Sequence, residues 1–515
     1  MLRVAAPNVV TMTSYTVMQF VDALMVSRIT PASPVYVAAQ GNGGIAVFLA
    51  ISLVLGVQSV VTTFVAQHLG AGRAERGSAY AWSAIWIAGV SSVLMIPYAL
   101  ALPMIFGAIG HEGELLELET RYAQIMIAGA FFVTAARGVH HYFFGMHRAM
   151  IVMVAVILGG LVNVGINYVL IFGNFGMPAM GVAGAAVGTV AGAMCELALP
   201  LLVFLGGRFN REYATRSAWR PDRRAIADIL RIGWPGGAMF VNELFCWTYL
   251  MVRLLPAAGE AAARSRGLGP EAIHEAGVVG NSAGWIALRY MHASFMPAVG
   301  LSIAVTAMVG RSMGMRRSDL ARDRAWLGLR LAMGYMGLWS VAFVLFGAEL
   351  MGVFVPGDMA SEQAESLIRV GSAVMIAAAV FQLFDAIAIT MSGALRGAGD
   401  TVWPGLATVV LSWTFIVGGG HLAIAIAPGL GALGPWIAAS GFIITLGVSL
   451  LVRFRLGRWA RIDLVSRDPE PASGPIGLAL GSDRGPGETG EASGLVVRQG
   501  PGDGLAGVES ARLEP

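Results

Sequence analysis

Twelve separate stretches of this chain are long and apolar enough to cross a bilayer, which takes roughly 20 apolar residues per helix. They run near 4–27, 43–68, 79–106, 120–144, 151–172, 183–206, 233–256, 280–310, 323–348, 368–394, 404–424 and 433–455. The 515 residues are 56% hydrophobic and 13% charged, whereas soluble domains carry about 25% charged residues. The pattern predicts an all-α integral membrane protein with twelve transmembrane helices. Cys195 and Cys246 lie far apart in apolar stretches and suggest neither a disulfide framework nor a metal cluster.

All 34 basic residues are Arg. Without Lys the chain has no Walker A loop, and Schiff-base and Ser-x-x-Lys catalysis are excluded. The segment from Ser466 to Pro515 holds four Arg and eight acids, a net −4, so the remainder carries +7. That charge is expected at a membrane face, with no nucleic-acid partner. Arg73, Arg76, Arg148, the 208–231 run, Arg311 to Arg324, Arg396 and Arg453 to Arg461 follow the even-numbered spans. The positive-inside rule then places both termini in the cytoplasm of a multi-pass protein of the inner (plasma) membrane. Pro7 and Asp22 interrupt the first apolar run, so it reads as a true span and not a cleavable signal.

An internal repeat divides the chain. At an offset of 244, Gly56, Thr62, Val65, Gly70 and Trp82 meet Gly300, Thr306, Val309, Gly314 and Trp326. PAMGVAG at 178–184 meets PGLGALG at 428–434, and Gly145 and Arg148 meet Gly393 and Arg396 at an offset of 248. Spans 2 and 8, 4 and 10, and 6 and 12 are thereby paired in the same direction through the membrane. This is a six-plus-six duplication in two pseudo-symmetric lobes. The expected organisation is an N-lobe at 1–206, a cytoplasmic linker at 207–231, a C-lobe at 232–460 and a disordered cytoplasmic tail at 461–515.

Ionisable groups inside a bilayer are expensive and usually functional. Glu243 lies ~16 Å into span 7, and Asp385 ~15 Å from the end of span 10, by helical rise. Two carboxylates at one depth suit a shared proton or a monovalent cation such as Na⁺. Asp22 on span 1 is a candidate proton site of the first half. Asn163 and Asn167, one turn apart on span 5, share a face that points toward Asp22. Asn242 and Arg289 are expected to support the C-lobe acids. Glu196, Arg137, His140, His141 and His292 read as structural or interfacial groups. Gly280 to Gly284 (GNSAG) matches a nucleophile-elbow string, but it opens a membrane helix and carries no catalysis. Gly184, Gly188 and Gly192 mark helix packing.

GVQSVVTTFVAQHLGAG, NVGINYVLIFG at 163–173, PAMGVAGAA at 178–186 and MSGALRGAGDT at 391–401 resemble the multidrug and toxic compound extrusion (MATE) family, NorM-like branch. Pro7 followed by FVDALMVSRI at 20–29 adds to the resemblance, which covers about 1–455. The resemblance implies a secondary antiporter, not an enzyme, that exports amphipathic, often cationic compounds in exchange for Na⁺ or H⁺ by alternating access. It implies a monomer in the bilayer, with a coupling ion and no other cofactor. By motif, Asp22 and Asn163 match the N-lobe coupling network, and Glu243 and Asp385 match the C-lobe acids. Asn167 stands where some members have Asp. Phe381 stands where NorM-type members usually have Tyr, which removes an oxygen ligand for Na⁺. The rivals are a related flippase for lipid-linked saccharides or another lipid-like compound, a membrane-embedded enzyme and a channel. The flippase would want a cationic cavity, and the enzyme a convergent His/Asp/Glu or Ser/His set.

Overall fold

The computed structural model describes residues 2–31, 33–355 and 361–465; the predicted tail from 466 lies outside these. In the first half, α1 (Leu2–Ser27), α2 (Pro34–Gln58), α3 (Val61–Gly70), α4 (Arg76–Leu94), α5 (Ile96–Ala108), α6 (Gly113–Ala128), α7 (Ala130–Gly145), α8 (Ala149–Phe172) and α9 (Val182–Leu205) follow one another. A short α10 (Gly207–Tyr213) leads into α11 (Arg223–Tyr249), α12 (Leu255–Ser265), α13 (Pro270–Gly314), α14 (Ser318–Leu345), α15 (Gly347–Gly352) and α16 (Ser361–Ala398). The chain closes with α17 (Val402–Leu411), α18 (Gly420–Ile426) and α19 (Leu433–Arg455).

Among the described residues ten helices are long and apolar enough to span, and the count reaches twelve when the bent pairs α4–α5 and α6–α7 are each taken as one span. Each bend has a local cause. Pro97 removes an amide just past the 43° bend. Gly129 marks the 48° bend, where a Cβ would overlap Val190 of α9. Span 7 widens into a π-type turn at Leu250–Leu254, and span 11 into one at Ser412–Gly419.

The structure adds three corrections. The predicted loop 257–279 is a helical hairpin, with α12 running to Ser265 and α13 starting at Pro270. At 45 residues, or ~67 Å by helical rise, α13 outreaches a bilayer core of ~30 Å. The loop after span 4 is closed by Arg148 N to Phe143 O, and that after span 10 by Asp400 N to Leu395 O, each 2.9 Å. These equivalent bonds set Gly145 against Gly397 and not Gly393, an offset of 252. The sequence pairing at 248 is one helical turn out of register. Finally, Leu464, read as tail, is buried in the core of the first half, and Ile462 packs against the same cluster.

The Arg-bearing loops gather on one face. The segment after α9 packs under α4, with Ser78 Oγ on Tyr213 O (2.9 Å), Trp82 Nε1 on Thr215 O (2.8 Å) and Trp86 Nε1 on Trp219 O (2.9 Å). Asp222 then caps α11 by accepting the amides of Arg224 and Ala225. Arg453 donates to Asp400 at 2.8 Å.

Each lobe has its own core. Phe64, Tyr80, Tyr142, Phe143 and Phe204 anchor the first, and Leu250, Leu254, Phe343, Trp436 and Phe454 the second. The lobes meet in the half nearest the Arg-rich face. There Gly70 lies against Arg311 O and Gly314 against Gln67 O, reciprocal contacts about the pseudo-twofold. Gly56 on Gly236 O and Gly300 on Asn8 O form a second reciprocal pair. Thr63 Oγ1 and Gln67 Nε2 cross the interface to Arg396 O (2.9 Å) and Gly397 O (3.0 Å). Toward the other end contacts stay within a lobe: Val26 packs with Ala39, Ile171 and Val182.

A side chain at Gly314 forces the two backbones apart. Gly314→Ala is expected to cost about 1–3 kcal/mol of the closed arrangement. Spin labels at Arg73 and Arg316 would then show a longer-distance population than in the unsubstituted protein. An unchanged distance distribution would contradict the axis contact.

Candidate functional site

Two polar centres lie inside the lobes. In the second lobe, α11 and α16 run in opposite directions, and each presents an acid with an aromatic ring one turn farther from the Arg-rich face. Glu243 is followed at i+4 by Trp247, and Asp385 is preceded at i−4 by Phe381, so each pair shares a helix face. The Trp247 and Phe381 rings meet edge to face at 5.8 Å, and Trp247 lies 6.1 Å from Trp436. Asp385 is 5% exposed, Glu243 is half-buried, and the two interact electrostatically. Arg396, two to three turns nearer the Arg-rich face, is in electrostatic contact with Glu243. Among the described residues no side chain hydrogen-bonds either carboxylate. An ionised carboxylate so placed is costly, and a proton or a bound cation relieves it.

In the first lobe, Asp22 is 7% exposed and accepts Asn167 Nδ2 at 2.7 Å. Asn167 Nδ2 also lies 3.5 Å from Asn163 Oδ1, and Asn163 Nδ2 reaches Thr189 Oγ1 at 3.4 Å. The network ties α1, α8 and α9. Its local cause is Gly188, where any Cβ would occupy the place of Asn167 Oδ1. The sequence had placed Asn163 and Asn167 on the face toward Asp22, and there they lie.

Asn242 and Arg289 are placed elsewhere. Asn242 donates to Ser412 Oγ at 2.8 Å and accepts Trp413 Nε1 at 2.8 Å, clamping α11 to the π-type turn of span 11. Its amide is spent there and does not serve the acids. Arg289 is exposed, with its guanidinium 5.7 Å from the Phe354 ring centroid. Phase explains both: a helix turns 100° per residue, and depth along a span does not reveal direction.

Two residues escaped sequence reasoning. Tyr15 stands at the repeat position of Glu243, at an offset of 228 shared with Asn8 and Gly236. It donates to Glu196 Oε2 at 2.8 Å and carries Arg137 over its ring at 3.7 Å. His140 Nε2 approaches Glu196 O at 3.2 Å, and His141 Nδ1 meets Thr62 Oγ1 at 3.0 Å. Glu119, with no exposed surface, was missed because span 4 was read to begin one residue later. No motif flags Tyr15; the repeat alignment of spans 1 and 7 would have pointed to it.

Two helical lobes joined at one end, with acids buried near mid-depth, define a polytopic membrane transporter. The MatE family model matches residues 7–169 and 275–418. The chain belongs to that family, in its NorM-like branch, and is not an enzyme. A probable multidrug resistance protein NorM of Thermotoga maritima is 28% identical over 430 residues, covering 82% of this chain and 85% of that protein. Multidrug resistance protein PmpM of Pseudomonas aeruginosa is 28% identical over 476 residues, covering 90% and 91%. The solved outward-facing conformation of a multidrug resistance MATE family transporter has a TM-score of 0.76 at 21% identity, covering 90% and 96%. A MATE structure in complex with MaL6 has a TM-score of 0.77 at 20% identity, with the same coverage.

Asn242→Ala leaves Trp413 Nε1 without its acceptor and removes the donor to Ser412 Oγ. It is expected to cost about 1–3 kcal/mol of stability, seen as a lowered Tm in detergent, with binding of an ethidium-like cation unchanged. Lost drug binding without a fall in Tm would show that Asn242 serves the site directly.

Proposed function

We propose that this protein is a secondary antiporter that exports amphipathic, cationic compounds in exchange for protons. The observation that carries the reading is the Glu243–Asp385 pair set one turn below the Trp247 and Phe381 rings. A cation's charge is drawn to carboxylates and to aromatic faces alike, and its apolar body to the rings. Drug and proton then compete for the same carboxylates. The proton is favoured over Na⁺ by the oxygen count: Phe381 offers none, and Asn242 Oδ1 is held by Trp413.

The Arg-rich face is taken as cytoplasmic by the positive-inside rule, which puts both termini inside the cell at the plasma membrane. On this reading the lobes packed at that face close the inward side, and the route to the acids runs from the outside. Protons bound there from outside displace the drug. Protonated Glu243 and Asp385 no longer repel each other, and Asp22 gains a donor for its asparagine network. Those differences between states couple the ion to the lobe arrangement. The proposed organisation is an N-lobe at 1–206, a linker at 207–231 and a C-lobe at 232–460, acting as a monomer. The flippase alternative lacks a cationic cavity, since the mid-depth groups around the rings are acids.

In proteoliposomes, efflux of an ethidium-like cation is expected under an imposed H⁺ gradient. Glu243→Gln/Asp385→Asn should lower it at least ~10-fold. Transport under neither a H⁺ nor a Na⁺ gradient would favour the flippase reading instead. Phe381→Tyr restores a ligand oxygen beside Asp385. It is expected to add a Na⁺-driven component, read as efflux under a Na⁺ gradient at fixed pH; drive by Na⁺ in the unsubstituted protein would contradict proton coupling.

A further inference from the structure

Glu119 belongs to none of the sites above. It lies on the first turns of α6, fully buried, toward the end opposite the Arg-rich face. Its Oε1 is 2.7 Å from His111 Nδ1, and its Oε2 accepts Asn42 Nδ2 at 2.9 Å. His111 sits in the loop between α5 and α6, its side chain 26% exposed and its ring stacked on Phe106 at 6.0 Å. One member of the pair touches the aqueous side and the other is in the interior.

Polar groups continue inward from Glu119. Tyr122, one turn on and on the same helix face, is buried with Val26 and Ala39. It lies within electrostatic reach of Asp22, and Gln40 of α2 faces it. Gly43 lets α2 come this close, since a Cβ there would stand 2.8 Å from the Tyr122 ring and 3.0 Å from Glu119 O. The remaining groups at this end do not intrude. Glu112, Glu114, Glu117 and Arg121 on the α6 side and Arg28 after α1 are exposed. The facing residues of α2, α5 and α9 carry no ionised side chain.

We propose that His111 and Glu119 form an outer proton port, which passes protons between external water and Asp22. The inference rests on the proton-coupled reading of Asp22. When drug binding drives a proton off Asp22, the Glu119 carboxylate accepts it by way of the Tyr122 hydroxyl. Protonated Glu119 hands it to His111 Nδ1, the nitrogen that faces it, and the imidazolium releases its other proton, from Nε2, to water. One proton leaves, and Tyr122, Glu119 and His111 return to their starting charges. Histidine suits the mouth of such a path because its two ring nitrogens let it take a proton on one side and give one on the other.

Proton release on adding an ethidium-like cation to the purified full-length protein, followed by stopped flow with a pH-sensitive dye, tests this. His111→Gln and Glu119→Gln are expected to slow release about ten-fold with unchanged amplitude. Asp22→Asn should remove amplitude, and Glu119→Asp should recover most of the rate. Unchanged rates in both port variants would overturn the port and leave the role of Asp22 standing. Loss of amplitude in His111→Gln, with a lowered Tm, would overturn it in favour of a structural clamp. No release from the unsubstituted protein would overturn the port and proton coupling together.

Discussion

The two lobes are held by backbone-to-backbone contact through glycine. Gly70 on Arg311 O, Gly314 on Gln67 O, Gly56 on Gly236 O and Gly300 on Asn8 O form two reciprocal pairs about one axis. No side chain fits between helices that close, so the contacts are either made or broken and do not deform gradually. Thr63 and Gln67 add side-chain bonds across the same surface, while Leu464 inserts from the chain end into the first lobe. The rest of each lobe is packed on its own core. An interface of this kind suits the two-state element that the proposed coupling requires.

Two of the ionisable groups sit on helices that take part in those contacts. Asp22 joins α1 to α8 through Asn167, and α1 is also a lobe-crossing helix, since Asn8 receives Gly300. Glu243 lies on α11, whose Gly236 receives Gly56, so both acids ride on helices that cross the axis. The repeat makes the asymmetry plain. Where the second lobe has Glu243, the first has Tyr15, bound to Glu196 and covered by Arg137. One lobe thus leaves an acid that no side chain among the described residues hydrogen-bonds, and the other fills the equivalent place with a tyrosine bonded to Glu196.

Most of the architecture was legible because spanning helices announce themselves by length and hydropathy. All twelve spans, the duplication and the Asp22–Asn167 face could be read directly. What failed is what hydropathy does not encode. In a span that is apolar all round, a one-turn slip changes no pattern, so the repeat at Gly145 was paired with Gly393 in place of Gly397. For the same reason Asn242 was assigned to the acids, although its phase turns it to Ser412 and Trp413. The charges of 257–279 read as a loop because a helix that has left the membrane loses its apolar signal. Glu119 was lost at a span boundary drawn one residue too late.

The central claim is that drug and protons exchange at opposed directions through one set of carboxylates. The most direct measurement is the proton flux produced by a drug gradient alone, in proteoliposomes loaded with a pH dye at equal pH on both sides. Drug leaving the vesicle is expected to acidify the lumen, with the signal absent in Glu243→Gln/Asp385→Asn. Drug efflux at a normal rate with no change in luminal pH would contradict the account.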